Sequence, residues 1–165
     1  VEVQELKRFS LGPEQTGTAS KDNAFIKTGI GVFLDDLYTK NRNASPILKY
    51  SRKIFNPELL ESAENFDTCF GYIGESNHDS TLLNYYTSGQ EYKAHKDASR
   101  ISTVTVLKQG DFTGGNFMFP DQEHVVEMTH NRTIIFPSCL NHRALPVSGS
   151  GTRISIAKFI DQRAS

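Results

Sequence analysis

Three side chains in this sequence could hold a metal ion. His95 and Asp97 lie one residue apart in "QEYKAHKDASR", and His142 lies in "FPSCLNHRALPV". On a strand, side chains at i and i+2 share a face, so His95 and Asp97 point the same way. His142 follows the apolar run "TIIF", where a strand end can deliver it to the mouth of a barrel. Two imidazoles and one carboxylate form a facial ligand set that leaves adjacent octahedral positions open. That set suits non-haem Fe(II), which needs room for a chelating cosubstrate and for O₂. An isolated H-x-D pair is a weak signal, since histidines near strand ends commonly cap loops or meet water. His78, His124 and His130 take that ordinary reading, because none has a carboxylate at ligand spacing.

A fourth residue belongs to the same argument. In "GTRISIAKF", Arg153 and Ser155 alternate with Ile154 and Ile156. If the arginine takes the inner face, its charge is buried and must be paired. The strand offers no acidic partner, so an incoming carboxylate held by two parallel hydrogen bonds would satisfy it. In the opposite orientation the isoleucines fill the core and Arg153 meets water. Both orientations fit the alternation.

The elements that must position these groups fall into two parts. From about Leu82 onward, short β-branched or aromatic runs ("TLLNYYT", "ISTVTVL", "GNFMF", "HVVEM", "RTIIFP", "TRISIAKFI") alternate with turn-rich segments. This predicts a mainly β fold, a barrel or two-sheet jelly roll, and not a parallel α/β sheet. The first part, to about residue 78, predicts polar loop and two helices. "GVFLDDLYTK" has an apolar face through Val32, Phe33, Leu37 and Tyr38. "NPELLESAENF" starts with Asn56 as N-cap and Pro57 at the first helical position. The span "LGPEQTGTASKDN" predicts a surface loop. The expectation is one domain over residues 1–165, with helical and loop support at 1–78 packed on a β core at 79–165.

Bulk properties narrow the partners. At 165 residues and 18.5 kDa the chain can bury a sizeable core. Its formal charge is −1, so no global field calls for nucleic acid or a membrane. No apolar run approaches the ~20 residues of a membrane span, and no signal-peptide pattern opens the chain. Two cysteines far apart in sequence, Cys69 and Cys139, are too few for a disulfide scaffold, so a reducing cytoplasm is the expected setting. The sequons at Asn43 and Asn131 are read as accidental.

The segment from Leu83 to Ile160, nearly half the chain, resembles the Fe(II)/2-oxoglutarate-dependent oxygenases, most closely their prolyl 4-hydroxylase-like branch. "YTSGQEYKAHKD" is similar to that branch's lead into H-x-D. "DFTGGNFMF" is similar to its glycine-pair turn, and "IIFPSCLNHRALPVSGSGTRISI" to its distal-histidine and Gly-x-Arg block. Each element is weak alone, whereas the ordered set is specific.

The resemblance implies a double-stranded β-helix (jelly-roll) core with supporting N-terminal helices. It implies that His95, Asp97 and His142 hold Fe(II) and that Arg153 binds the distal carboxylate of 2-oxoglutarate, where collagen-type members use lysine. Tyr86 would line the cosubstrate pocket, Ser155 would sit beside the arginine, and Arg100 would contact substrate. Each of these three also has an ordinary reading, as strand aromatic, strand neighbour or exposed loop arginine. The implied reaction is 2-oxoglutarate- and O₂-dependent hydroxylation releasing succinate and CO₂, with ascorbate supporting activity. A carboxylate at position 97 argues for hydroxylation, because related iron halogenases carry a small residue there.

The motif details lean toward prolyl residues of a peptide or protein. A free amino acid or other small metabolite is the first alternative, and a non-catalytic metal-binding jelly-roll module is another. Nucleic acid is not the expected substrate. Two departures from the branch stand out: a short Asp97–Arg100 loop, and one extra residue at "SGSG", expected to widen a hairpin before Arg153.

Overall fold

A computed structural model describes residues 1–17 and 26–164. Its helices are α1 (Glu2–Leu6), α2 (Pro13–Thr16), α3 (Leu34–Leu37), α4 (Pro46–Ser51), α5 (Pro57–Phe66) and α6 (Tyr72–Glu75). The strands are β1 (Ile30–Phe33), β2 (His78–Tyr86), β3 (Tyr92–His95), β4 (Ile101–Gln109), β5 (Phe112–Gly114) and β6 (Phe117–Phe119). They continue with β7 (His124–Val126), β8 (Arg132–Pro137), β9 (His142–Ala144), β10 (Val147–Gly149) and β11 (Thr152–Asp161).

The strands form a five-stranded sheet, β1-β2-β11-β4-β8, a four-stranded sheet, β3-β9-β6-β7, and the pair β10-β5. All pairings are antiparallel. This is the expected jelly roll. Leu82, Val104, Ala157 and Phe136 on one face of the large sheet pack with Phe117 of the smaller one. On its other face Leu83, Tyr85, Ile154 and Ile156 pack with Leu6 of α1 and Ile47 and Leu48 of α4. Both faces of β11 are therefore buried, which is why alternation alone left the direction of Arg153 open.

Asn56 caps α5 as expected, its side chain accepting from the amides of Glu58 and Leu59; such a cap contributes about 1 kcal/mol. The helix expected over "GVFLDDLYTK" is instead strand β1 followed by the short α3. Pairing with β2, Ile30 opposite Tyr85 and Phe33 opposite Leu82, overrides the local helical pattern. The first 78 residues thus supply an edge strand as well as helices. The turn-rich span at 11–23 contains α2, and its residues 18–23 lie outside the described ones. "SGSG" does not close a hairpin between β10 and β11. β10 pairs with β5, and the Gly151 amide donates to Asp111.

Candidate active site

A cavity of about 530 Å³ lies against the inner face of the large sheet. Alternate residues of β2 (His78, Ser80, Leu82, Asn84, Tyr86) and β11 (Arg153, Ser155, Ala157, Phe159, Asp161) line it. His95, Asp97 and His142 face these strands from the opposite wall. Its volume falls in the usual range for small-molecule sites.

Strand register brings the histidines together. His95 at the end of β3 pairs directly with His142 at the start of β9, with ring centroids 4.3 Å apart. One ligand atom from each of His95, Asp97 and His142 lies within 4.8 Å of the others. His95 Nδ1 lies 2.7 Å from the Lys93 carbonyl, and His142 Nδ1 lies 2.7 Å from the Leu140 carbonyl. A carbonyl can only accept, so each Nδ1 carries a proton, and in the neutral ring the lone pair is on Nε2. These Nε2 atoms approach the Asp97 carboxylate at 3.6 and 3.3 Å. Three electron-rich groups turned toward one point repel one another unless a cation lies between them. The two backbone contacts are the outer partners that metal-bound histidines usually have.

Neighbouring side chains hold the three in place. Tyr92 stacks on His95 at 3.7 Å, and Phe117 lies parallel to His142 at 5.4 Å. The Asp97 amide donates to the Ser138 carbonyl, and Ser102 Oγ donates to Asp97 Oδ2 at 2.7 Å. Ser138 Oγ, itself within 2.8 Å of Ser99 Oγ, is hydrogen-bonded to Ser102. Burial, followed by repulsion from His142, pushes the His95 imidazole down to about 4, so it is neutral at neutral pH. Burial opposes ionisation of Asp97, and the Ser102 hydroxyl that donates to it favours the carboxylate.

Arg153 is 1 % exposed, on the inner face. Its Nε donates to the Gly115 carbonyl at 2.7 Å, and its guanidinium lies 5.4 Å from the Tyr86 ring centre. Gly115 has φ of 67°, and a Cβ there would stand 2.8 Å from Arg153 Cδ, so the glycine-pair turn leaves the arginine its space. Among the described residues no carboxylate pairs with Arg153, and its buried Nη2 has no hydrogen-bond partner. Burial lowers the guanidinium pKa. An unpaired buried cation with a free donor in a cavity fits a carboxylate ligand.

Tyr86 and Ser155 also line this end, both buried. Arg100 is not brought to the cavity. It is exposed, its guanidinium 4.7 Å over the ring of Tyr72. His124 is exposed and His130 accepts from the Lys108 amide, whereas His78, read as an ordinary edge histidine, lines the far end of the cavity.

Sequence reasoning missed Lys27, Asn84, Ser102 and Ser138. Ser102 and Asn84 carried a readable signal, as polar residues at inner-face positions of otherwise apolar strands. Lys27 is 1 % exposed, and burial draws its ammonium down to about 7.

Among known proteins, residues 81–161 match the 2OG-Fe(II) oxygenase superfamily. The curated proteins include no match to the sequence. Among solved structures, a Pseudomonas putida prolyl-4-hydroxylase is similar at 18 % identity and TM-score 0.62, over 98 % of this chain and 84 % of that one. A viral collagen prolyl hydroxylase from Paramecium Bursaria Chlorella virus-1, in its 2OG complex, is similar at 18 % identity and TM-score 0.56, over 99 % and 90 %. A Trichoplax adhaerens prolyl hydroxylase, in complex with a hypoxia inducible factor oxygen degradation domain peptide fragment, is similar at 15 % identity and TM-score 0.62, over 97 % and 74 %. At these identities the structural likeness is one of fold. No helix among the described residues is long and apolar enough to cross a membrane, and both cysteines are free and exposed.

Proposed function

We propose that this chain, whose residues 81–161 match the 2OG-Fe(II) oxygenase superfamily, is a hydroxylase of prolyl residues in a peptide or protein. In this reading His95, Asp97 and His142 hold Fe(II), and Arg153 binds the distal carboxylate of 2-oxoglutarate. One observation carries it. The same cavity contains two Nε2 atoms turned toward a carboxylate and a buried guanidinium that lacks an acidic partner among the described residues.

When bound by these residues, iron would supply O₂ activation coupled to decarboxylation of 2-oxoglutarate, giving succinate, CO₂ and one oxygen atom inserted into a substrate C–H bond. The protein's share is positional. The Lys93 and Leu140 carbonyls keep a proton on each Nδ1, so Nε2 is the nitrogen that each imidazole offers to the metal. Ser102 Oγ holds the Asp97 carboxylate against rotation, and the Ser138 carbonyl holds the Asp97 backbone amide. Arg153 and Tyr86, both buried, exclude water from the cosubstrate end and strengthen its electrostatics. The far end, between Phe33, Ser80 and Phe159, is left for the substrate. The fold likeness to three prolyl hydroxylases supports the choice of substrate.

Incubation with Fe(II), 2-oxoglutarate and ascorbate tests the reaction, and is expected to yield succinate. Asp97→Ala is expected to abolish turnover by loss of iron. Peptide pools analysed by mass spectrometry are expected to gain one oxygen atom on proline. Oxygen gained only on other residues or on small molecules would overturn the prolyl assignment.

A further inference from the structure

We infer that Lys27 is a positioning residue for the cosubstrate chamber: it ties segment 12–17 across the chamber and, through Asn84, sets the Ser155 hydroxyl to donate into it. The inference rests on the proposed 2-oxoglutarate site.

Lys27 Nζ donates to the Thr16 carbonyl at 3.1 Å, to Thr16 Oγ1 at 2.8 Å and to Asn84 Oδ1 at 2.5 Å. These contacts use all three ammonium protons, and none of them goes to a carboxylate among the described residues. An ammonium buried this deeply costs several kcal/mol of desolvation unless its hydrogen bonds are complete, so replacing any one acceptor disturbs the whole group.

Two of the three acceptors belong to Thr16, the last residue of α2. Gln15, Thr16 and Gly17 line the cavity, and a Cβ at Gly17 would stand 2.8 Å from Lys27 Cβ. The third acceptor belongs to the floor, on β2. Lys27 itself bridges to Tyr92 of β3, so it stands where the two sheets meet. The ammonium therefore joins a covering segment to the sheet beneath it.

The second part of the inference follows from donor and acceptor roles. Lys27 can only donate, so it fixes Oδ1 as the side of the Asn84 amide that it faces. Nδ2 is then presented to Ser155 Oγ, 3.4 Å away. Accepting from Asn84 leaves the Ser155 hydroxyl proton free to donate, and Ser155 makes no other side-chain hydrogen bond among the described residues. Ser155 pairs with Asn84 in the β2–β11 register, two residues along from the Arg153–Tyr86 pair. Its free donor thus faces the chamber that Arg153 faces.

Binding of 2-oxoglutarate to Mn(II)-loaded protein, followed by titration calorimetry, tests this without turnover. Lys27→Met and Ser155→Ala are each expected to weaken binding about tenfold, the scale of one charge-assisted or buried hydrogen bond. The double variant is expected to be little weaker than either single one, because both act on one relay. Lys27→Arg is expected to recover part of the loss. In turnover, Lys27→Met is expected to raise KM for 2-oxoglutarate and leave kcat near wild type. Hydrogen exchange at the Gln15 and Gly17 amides is expected to accelerate.

If Lys27→Met does not fold, Thr16→Val removes one of the three contacts at constant volume and is expected to weaken binding about twofold. Wild-type affinity in Lys27→Met or in Thr16→Val, or losses that simply add in the double variant, would overturn the inference while leaving the 2-oxoglutarate site standing. A wild-type protein that binds no 2-oxoglutarate would overturn both.

Discussion

Strand β11 carries two buried cations on opposite faces, and their surroundings differ. Lys158, on the helix-covered face, has no exposure; its Nζ reaches Asp79 at 2.6 Å and Thr81 at 2.9 Å. Asp79 also takes Arg42 at 3.0 Å and Arg52 at 3.4 Å, so one carboxylate ties α4's flank, the loop before it and two strands together. Arg153, on the cavity face, has one backbone acceptor and no carboxylate among the described residues. The first cation is satisfied by the fold. The second keeps Nη2 without a partner among the described residues, as a binding role for Arg153 would require. Burial alone does not distinguish a structural charge from a binding one; the presence of a counter-ion does.

That contrast can be broken from either side. Lys158→Met leaves Asp79 buried with fewer partners and is expected to cost about 3–5 kcal/mol of unfolding free energy in urea. Its 2-oxoglutarate affinity is expected to stay within about twofold of wild type, since it lies on the other face. Arg153→Met is expected to do the reverse. Cosubstrate affinity should fall about a hundredfold, on the scale of a buried charged contact. The melting temperature of the ligand-free protein should hold or rise, because an unpaired buried charge has gone. A melting temperature that collapses in Arg153→Met would remove the distinction.

The smallest effect lies in the acid limb. Burial works to raise the Asp79 carboxyl, but Arg42 and Lys158 outweigh it and hold it below the usual 3.8. A carboxyl with a depressed folded pKa contributes stability that is full above 3.8 and is lost as pH falls through the folded value. Asp79→Asn is therefore expected to flatten the fall in stability below about pH 4, measured by urea unfolding across pH. A slope equal to wild type would show that Asp79 gains nothing from its cations.

Residue types and spacing determined much of this protein. His95, Asp97 and His142 could be picked out as a candidate group because a facial metal set uses those residue types, and the strands carrying them are marked by β-branched runs between turns. The Asn56 cap was legible because capping is a contact within one turn of helix. Tertiary structure alone decided the direction of Arg153, since both faces of β11 are covered and alternation cannot choose between them. It decided that "GVFLDDLYTK" opens as a strand, because β2 offers a ladder that no local propensity reports. It placed Arg100 over Tyr72 and outside the cavity. It also brought Lys27 to Asn84, 57 residues away in the chain. Such contacts depend on which strands become neighbours, and that is set by the packing of two sheets around one core, not by any short stretch of sequence.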